Sequence, residues 1–163
     1  MSNWVCYLIS SLITNQTYIG ATNNFEKRLN KHNYGKGAKK TKGQKWIPIV
    51  VISGFHHKNA CLSFEAGWKR LAKTRSNIKL QPINILSSQN ITYISTDTRW
   101  NRIVDLLFFI HNVTLIDTKY KLNHNYIHPL CIPFNLTINI YAEDIVSILP
   151  WPFFIECKNI IFN

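Results

Sequence analysis

Near its start the chain carries a short apolar run, "WVCYLIS" at 4–10, rich in strand-forming residues. "SLITNQ", with Asn15, supplies a turn before a second run, "TYIGAT" at 17–22, so the pair predicts a hairpin. "NNFEKRLNKHN" at 23–33 opens on two cap-type asparagines, with Phe25 and Leu29 on one stripe and Arg28 and His32 on another. That spacing predicts a helix from Asn24 to about Asn33. "YGKGAKKTKGQKW" at 34–46 holds three glycines and five lysines without an apolar period, the pattern of a mobile basic loop. "IPIVVIS" at 47–53, β-branched and bounded by Pro48 and Gly54, predicts a third strand. "NACLSFEAGWKRLAK" at 59–73 repeats Ala60, Phe64, Trp68 and Leu71 behind an Asn59 cap, which is helical spacing. The order is ββαβα.

Composition shifts near Gln81 and Pro82, where charge collapses into a Ser/Asn/Thr stretch. "DTRWNRIVDLLFFIHNV" at 97–113 predicts a buried helix with Asp97 near its start. The remainder mixes short β-rich runs with Pro129, Pro133, Pro150 and Pro152, and "YAEDIVSIL" suits a short helix or a strand. A chain of 163 residues, 46% hydrophobic, can bury a proper core as one domain or a compact pair of subdomains. The expected division is a first domain at 1–80 and an extension at 81–163 that packs on it, shapes a groove or builds a dimer interface.

Charge sharpens that division. The net charge is +11, yet residues 1–80 carry 14 Lys/Arg against Glu26 and Glu65, while residues 81–163 carry five against six acids. Eight basic residues fall between Lys27 and Lys45, the electrostatic footprint of a surface for a polyanion, most simply a nucleic-acid backbone. Solvated surface is the plainer reading of such lysines. Cys6, Cys61, Cys131 and Cys157 form no C-x-x-C pair, which suggests neither a zinc module nor a disulfide framework and fits reduced thiols. No apolar run reaches the roughly 18 residues of a membrane span, and residues 1–20 lack a basic leader, so a soluble intracellular protein is expected. Abundant Ile and Asn, with Lys exceeding Arg 14 to 5, suggest an AT-rich genome, viral or protist.

Tyr7 and Tyr18 fall on the paired strands, Arg28 and His32 on the following helix, and Glu65 is the only acid between Glu26 and Asp97. "VCY" at 5–7, "YIG" at 18–20, Arg28 and a helix-borne Glu65 resemble the GIY-YIG nuclease superfamily. Within it, "YIGATNNFEKRLNKHN", "GAKKT", "WIPIVVISGF" and "CLSFEAGW" are similar to the catalytic subunit of the Slx-type structure-selective endonuclease, over residues 4 to about 75. The resemblance implies an α+β fold: a small three-stranded antiparallel sheet flanked by helices, with the mixed extension added. Val5 and Cys6 depart from the usual Gly and aliphatic residue but leave Tyr7 in place. The cysteine pairs of the Slx-type subunit's RING-like zinc domain are missing, so docking on that subunit's scaffold is not expected here.

The roles implied by the resemblance are chemically coherent. Glu65 would hold one Mg²⁺ or Mn²⁺ largely through waters, and Arg28 would brace the scissile phosphate. Tyr7 would accept the attacking water's proton, with Tyr18 and His32 positioning or sharing that task. Inversion at phosphorus, with 5′-phosphate and 3′-hydroxyl ends, is implied as well. Lys31, Lys36, Lys39, Lys40, Lys42 and Lys45 would meet DNA phosphates. Gly20 would let the chain leave its strand tightly or let another group approach its backbone.

Plainer readings stand beside these. Tyr7 and Tyr18 suit half-buried strand aromatics, His32 a cation near a helix C-terminus, and Asn33 a helix C-cap. Trp46, Phe55 and Trp68 suit the core better than a base-stacking platform. His56 and His57 suit a surface loop, and His111, His124 and His128 lack metal-ligand partners at recognisable spacing. Asp105 with Asp117, or Glu143 with Asp144, would be carboxylate pairs without a completed site. The expected function is metal-dependent cutting of branched double-stranded DNA, Holliday junctions or flaps, in recombination or repair, in the nucleus or, for a viral chain, at a cytoplasmic replication site. A sequence-preferring homing or restriction nuclease and a catalytically silent DNA-binding module are the alternatives. A symmetric homodimer would suit paired nicks across a junction.

Overall fold

A computed structural model describes residues 2–74, 96–111, 136–146, 149–152 and 155–161. Strand β1, Val5–Ser11, pairs antiparallel with β2, Thr17–Thr22, and on its other side with β3, Trp46–Ser53. Helix α1, Phe25–Asn33, lies between β2 and β3 in sequence, and helix α2, Lys58–Thr74, follows β3. The ββαβα order therefore holds. Ser11 bonds across the hairpin to the Gln16 carbonyl, closing the turn that Asn15 announces.

The sheet is larger than the resemblance implied. It has five strands in the order β2-β1-β3-β4-β5, with β4 (Thr137–Ile140) antiparallel to β3 and β5 (Glu156–Asn159) parallel to β4. The reason is physical: β3 would otherwise present a bare hydrogen-bonding edge, and β4 covers it. "TINI" alternates partly buried and buried positions over only four residues, too short a run to stand out in sequence. Helix α3, Thr98–His111, supplies the predicted buried helix, and "YAEDIVSIL" resolves into a short helix α4, Glu143–Val146. Asp97 accepts the Arg99 backbone N–H at 2.9 Å, capping α3 as its position suggested.

β1 is buried almost throughout and serves two layers. Cys6 and Leu8 join the main apolar cluster with Phe64 and Trp68 of α2 and Ile103 and Leu107 of α3. Tyr7 and Ile9 join a smaller one with Leu29, Trp46 and Val51. This alternation is the period-2 rule acting on a strand covered on both faces. β3 carries a register shift opposite Leu8 and Ile9, beside Pro48, which has no N–H for the ladder. Freed from that pairing, the Ile49 carbonyl accepts from Tyr141 and Ala142, tying the start of α4 to the sheet.

Trp46, Phe55 and Trp68 are core residues, as expected. Two capping expectations need correction. Asn33 does not cap α1: its side chain donates to the Trp46 carbonyl (3.2 Å) and accepts the Trp46 N–H (2.6 Å), clamping the start of β3, while Tyr34 is the C-cap. Asn59 does not cap α2, because the helix begins at Lys58 and the exposed His57 Nδ1 accepts the Ala60 N–H at 3.1 Å. Asp117, His124, His128, Pro129, Cys131, Pro133 and the Gln81–Pro82 boundary lie outside the described residues. No helix among the described residues is long and apolar enough to cross a membrane.

Candidate active site

The site forms where α1 lies against the Tyr7 side of β1. Asn24 fixes the start of α1 by accepting the Lys27 N–H at 2.9 Å, which sets the helix phase and points Arg28 and His32 at the sheet. Tyr7 lies opposite Gly20 in the β1–β2 ladder. A Cβ at Gly20 would stand 2.4 Å from the Tyr7 hydroxyl oxygen and 2.9 Å from the Tyr18 ring, so only glycine leaves room for both aromatics. Of the two roles expected for Gly20, close approach is the one realised.

The polar atoms connect in one direction. Thr41 Oγ1 donates to the Ala38 carbonyl at 2.8 Å, which spends its only proton. His32 Nδ1, 2.7 Å away, must therefore donate to Thr41 Oγ1. The imidazole is neutral at pH 7, since burial and then the Arg28 charge push its pKa down to about 4. Nε2 is thus a lone-pair acceptor, and it receives the Tyr7 hydroxyl proton at 2.9 Å. Arg28 Nε donates to the same phenolic oxygen at 3.3 Å. Burial pushes the Tyr7 phenol up, and the hydrogen bond from Arg28 opposes it.

His32 is consequently no exposed cation at a helix end. It is fully buried and uncharged, which overturns the helix-dipole reading. The loop that presses on it is ordered where it touches. Residues Lys39–Thr41 form one 3-10 turn, Thr41 is buried, and a Cβ on Gly37 would come within 2.6 Å of His32 Nδ1. Trp46 Nε1 donates to the Thr41 carbonyl at 2.9 Å, anchoring that turn to β3. Thr41 and Gly37 were not singled out from sequence; the "GAKKT" block that contains both was the available signal.

Glu65 reaches this region from α2. Its carboxylate is bonded by Lys69 one helical turn on, and Lys69 Nζ lies 5.5 Å from the centre of the Tyr18 ring. Glu65 adds to burial in raising Cys6, Tyr7 and Cys61, and the Cys61 thiol is pushed up to about 12. These buried thiols stay protonated and are inert. Among the described residues no three His, Cys, Asp or Glu side chains cluster as a metal cage. One partly exposed carboxylate is a hard oxygen donor, and it suits an ion that keeps most of its waters, such as Mg²⁺ or Mn²⁺.

Tyr7, Tyr18, Arg28 and His32 are thus in mutual contact, with ring centres 6.4 Å apart for the tyrosines and 5.0 Å for Tyr18 and His32. Tyr7 has no exposed surface, whereas Tyr18 and Arg28 keep part of theirs. The six expected DNA-binding lysines are all exposed, and four of them line two different clefts. Lys39 and Lys40 line a cleft with Tyr18, Lys69 and Arg102, while Lys31 and Lys36 line another with Lys27 and Tyr34 on α1. Lys42 and Lys45 lie near the start of β3, and line neither. Asp105 is buried, with its carboxylate 3.9 Å from Arg102, and Asp117, the other half of that expected pair, lies outside the described residues.

Comparison with known proteins gives this geometry its setting. The model of the GIY-YIG catalytic domain matches residues 3–79. A protein of Acanthamoeba polyphaga mimivirus is 54% identical over 167 aligned positions, covering the whole of both chains. A UPF0213 protein of Clostridium perfringens is 40% identical over 47% of this chain and 78% of its own length. The structure-specific endonuclease subunit SLX1 of Phaeosphaeria nodorum is 38% identical over 44% of this chain, but the match spans only 21% of that larger protein.

Proposed function

Because the chain belongs to the GIY-YIG nuclease superfamily, we propose that it is a metal-dependent, structure-selective endonuclease hydrolysing phosphodiesters at branches in double-stranded DNA, such as Holliday junctions and flaps. Recombination or repair of a viral genome is the corresponding role, and the end-to-end mimivirus relative supports that setting. The nuclease unit is assigned to residues 1–80, with 81–163 as an extension upon it.

The observation that carries this reading is the directed chain from Arg28 through Tyr7 and His32 to Thr41, next to a lone helix-borne carboxylate. A phenol whose proton is already committed to a neutral imidazole can take a proton from water on its oxygen while its own moves to Nε2. The phenol is neutral before and after, with the proton passed on to His32. Arg28, donating to the phenolic oxygen, offsets the negative charge that builds there in transit, and its guanidinium, shared with Tyr18, is placed to meet a phosphate. Tyr18, the more exposed tyrosine, orients the entering group beside Arg28. Glu65 would hold Mg²⁺ or Mn²⁺, which supplies charge stabilisation at the phosphoryl oxygens when bound. The exposed lysines at 31, 36, 39, 40, 42 and 45 draw the DNA backbone in.

The test is cleavage of end-labelled four-way junction, 5′-flap and plain duplex DNA in Mg²⁺ and Mn²⁺, by the natural chain and by Glu65→Gln. Cutting of junction or flap well above duplex, lost in Glu65→Gln while DNA binding persists, is the expected result. Equal cutting of duplex would contradict branch selectivity, and undiminished cutting by Glu65→Gln would remove the metal role.

A further inference from the structure

Two adjoining clefts, of about 390 and 440 Å³, share Thr17, Tyr18, Lys40 and Arg102 as walls. A water occupies about 30 Å³ of liquid, so each is far larger than one phosphate group. Every charged residue that lines them is a cation: Lys39 and Lys40 from the 3-10 turn, Lys69 from α2 and Arg102 from α3. Tyr18 is the wall they share with the reactive cluster, since its ring neighbours His32 and its hydroxyl is within hydrogen-bonding reach of Arg28. A strand held at Arg28 therefore leads into this trough.

Arg102 lies outside the family match, in the half of the chain whose chemistry is otherwise unassigned. It is held in place before any ligand arrives. Its Nε donates to Thr17 Oγ1 at 3.3 Å, its Nη1 lies 3.9 Å from the buried Asp105 carboxylate, and its carbonyl accepts Trp68 Nε1 at 2.8 Å. The start of α3 is tied to the β1–β2 turn as well: Asn15 Nδ2 donates to the Thr96 carbonyl at 2.7 Å, and Thr98 Oγ1 donates to the Asn15 carbonyl at 2.6 Å. A guanidinium fixed this way loses little freedom on meeting a phosphate.

We propose that α3 completes a nucleic-acid channel, in which Arg102 and Lys69, with Lys39 and Lys40, hold the phosphodiester backbone of the DNA strand continuing from the scissile phosphate. The proposal rests on the nuclease reading above and gives the C-terminal half a part in holding substrate. No base-reading group is needed, so the contribution is independent of base sequence.

The experiment uses the full-length Glu65→Gln protein, expected to bind without cutting, and a labelled four-way junction titrated at several salt concentrations. Arg102→Gln on that background is expected to weaken binding by roughly 3- to 10-fold and to lower the salt slope by about one. Because Arg102→Gln leaves buried Asp105 without its cation, Gln16→Glu is a second variant, placing a negative charge at the cleft wall. Gln16 is exposed and accepts from Gln44 Nε2, an acceptor that glutamate keeps. Weakened binding by Gln16→Glu, with an unchanged melting midpoint, supports the channel even if Arg102→Gln unfolds. Affinity and slope equal to the parent in Gln16→Glu and in a folded Arg102→Gln overturn it. If the natural chain still cuts branched DNA in that case, only the channel falls; if it neither cuts nor binds, the nuclease reading falls with it.

Discussion

The two faces of β1 do opposite work with adjacent residues. Cys6 and Leu8 enter the large apolar cluster with α2 and α3, where aliphatic and aromatic side chains make up the packing around them. Tyr7, between them, turns to the other side and meets Arg28, His32 and Tyr18. Burying a phenol, an imidazole and a threonine hydroxyl costs free energy unless their polar atoms find partners. On the Tyr7 face they do, in a chain that runs in one direction. A polar network can sit against a central strand because the opposite face of that strand supplies the cohesion.

Substitutions can break this contrast from either side. A large effect is expected on chemistry: Arg28→Lys, which keeps the charge but loses the planar fork, should lower single-turnover cleavage by about 10²–10³-fold with little change in melting midpoint. Leu8→Ala should do the reverse, costing about 2–5 kcal/mol of stability by urea titration while the rate per folded molecule stays within a factor of about two. A similar loss of rate in Leu8→Ala would show that the two faces are not separable.

Protonation of His32 comes next. The unfolded chain takes up this proton near pH 6.5 and the folded one only near 4, so stability from this group is full above 6.5, falls as pH drops through that window, and levels off below 4. The loss amounts to about 3 kcal/mol, read as urea midpoint against pH, and His32→Gln should remove that part of the slope. The smallest effect sharpens the contrast at Thr41. Thr41→Val should slow cleavage about tenfold and redistribute the His32 tautomers in ¹⁵N spectra, whereas Thr41→Ser should keep both rate and tautomer. A Thr41→Val protein with an unchanged tautomer would sever Thr41 from the relay.

The first half was legible because its signals are local. The hairpin, the Asn24 cap and the Arg28/His32 stripe can each be read within a few residues, and the motif blocks bring Tyr7, Tyr18 and Glu65 into the same account. What stayed hidden depends on contacts far apart in sequence. β4 is a four-residue strand whose meaning lies in the edge of β3 that it covers. Thr41 matters only because Trp46 anchors its turn and His32 donates to its hydroxyl. The basic loop had composition but no period, so neither Gly37's close approach nor the split of its lysines between clefts could be seen. Arg102 lay in a helix read as core, and its place beside Thr17 follows from the docking of α3 onto the β1–β2 turn.

The most direct measurement is a paired one on Tyr7→Phe, which removes one oxygen from the chain and leaves the ring: single-turnover cleavage of a labelled four-way junction at saturating protein, alongside thermal melting. A rate lower by about 10²–10⁴-fold is expected, with junction affinity kept and a melting midpoint within a few degrees of the natural chain. Cleavage within about threefold of the natural chain would contradict that expectation, because Tyr7 would then be a buried aromatic of the strand and nothing more.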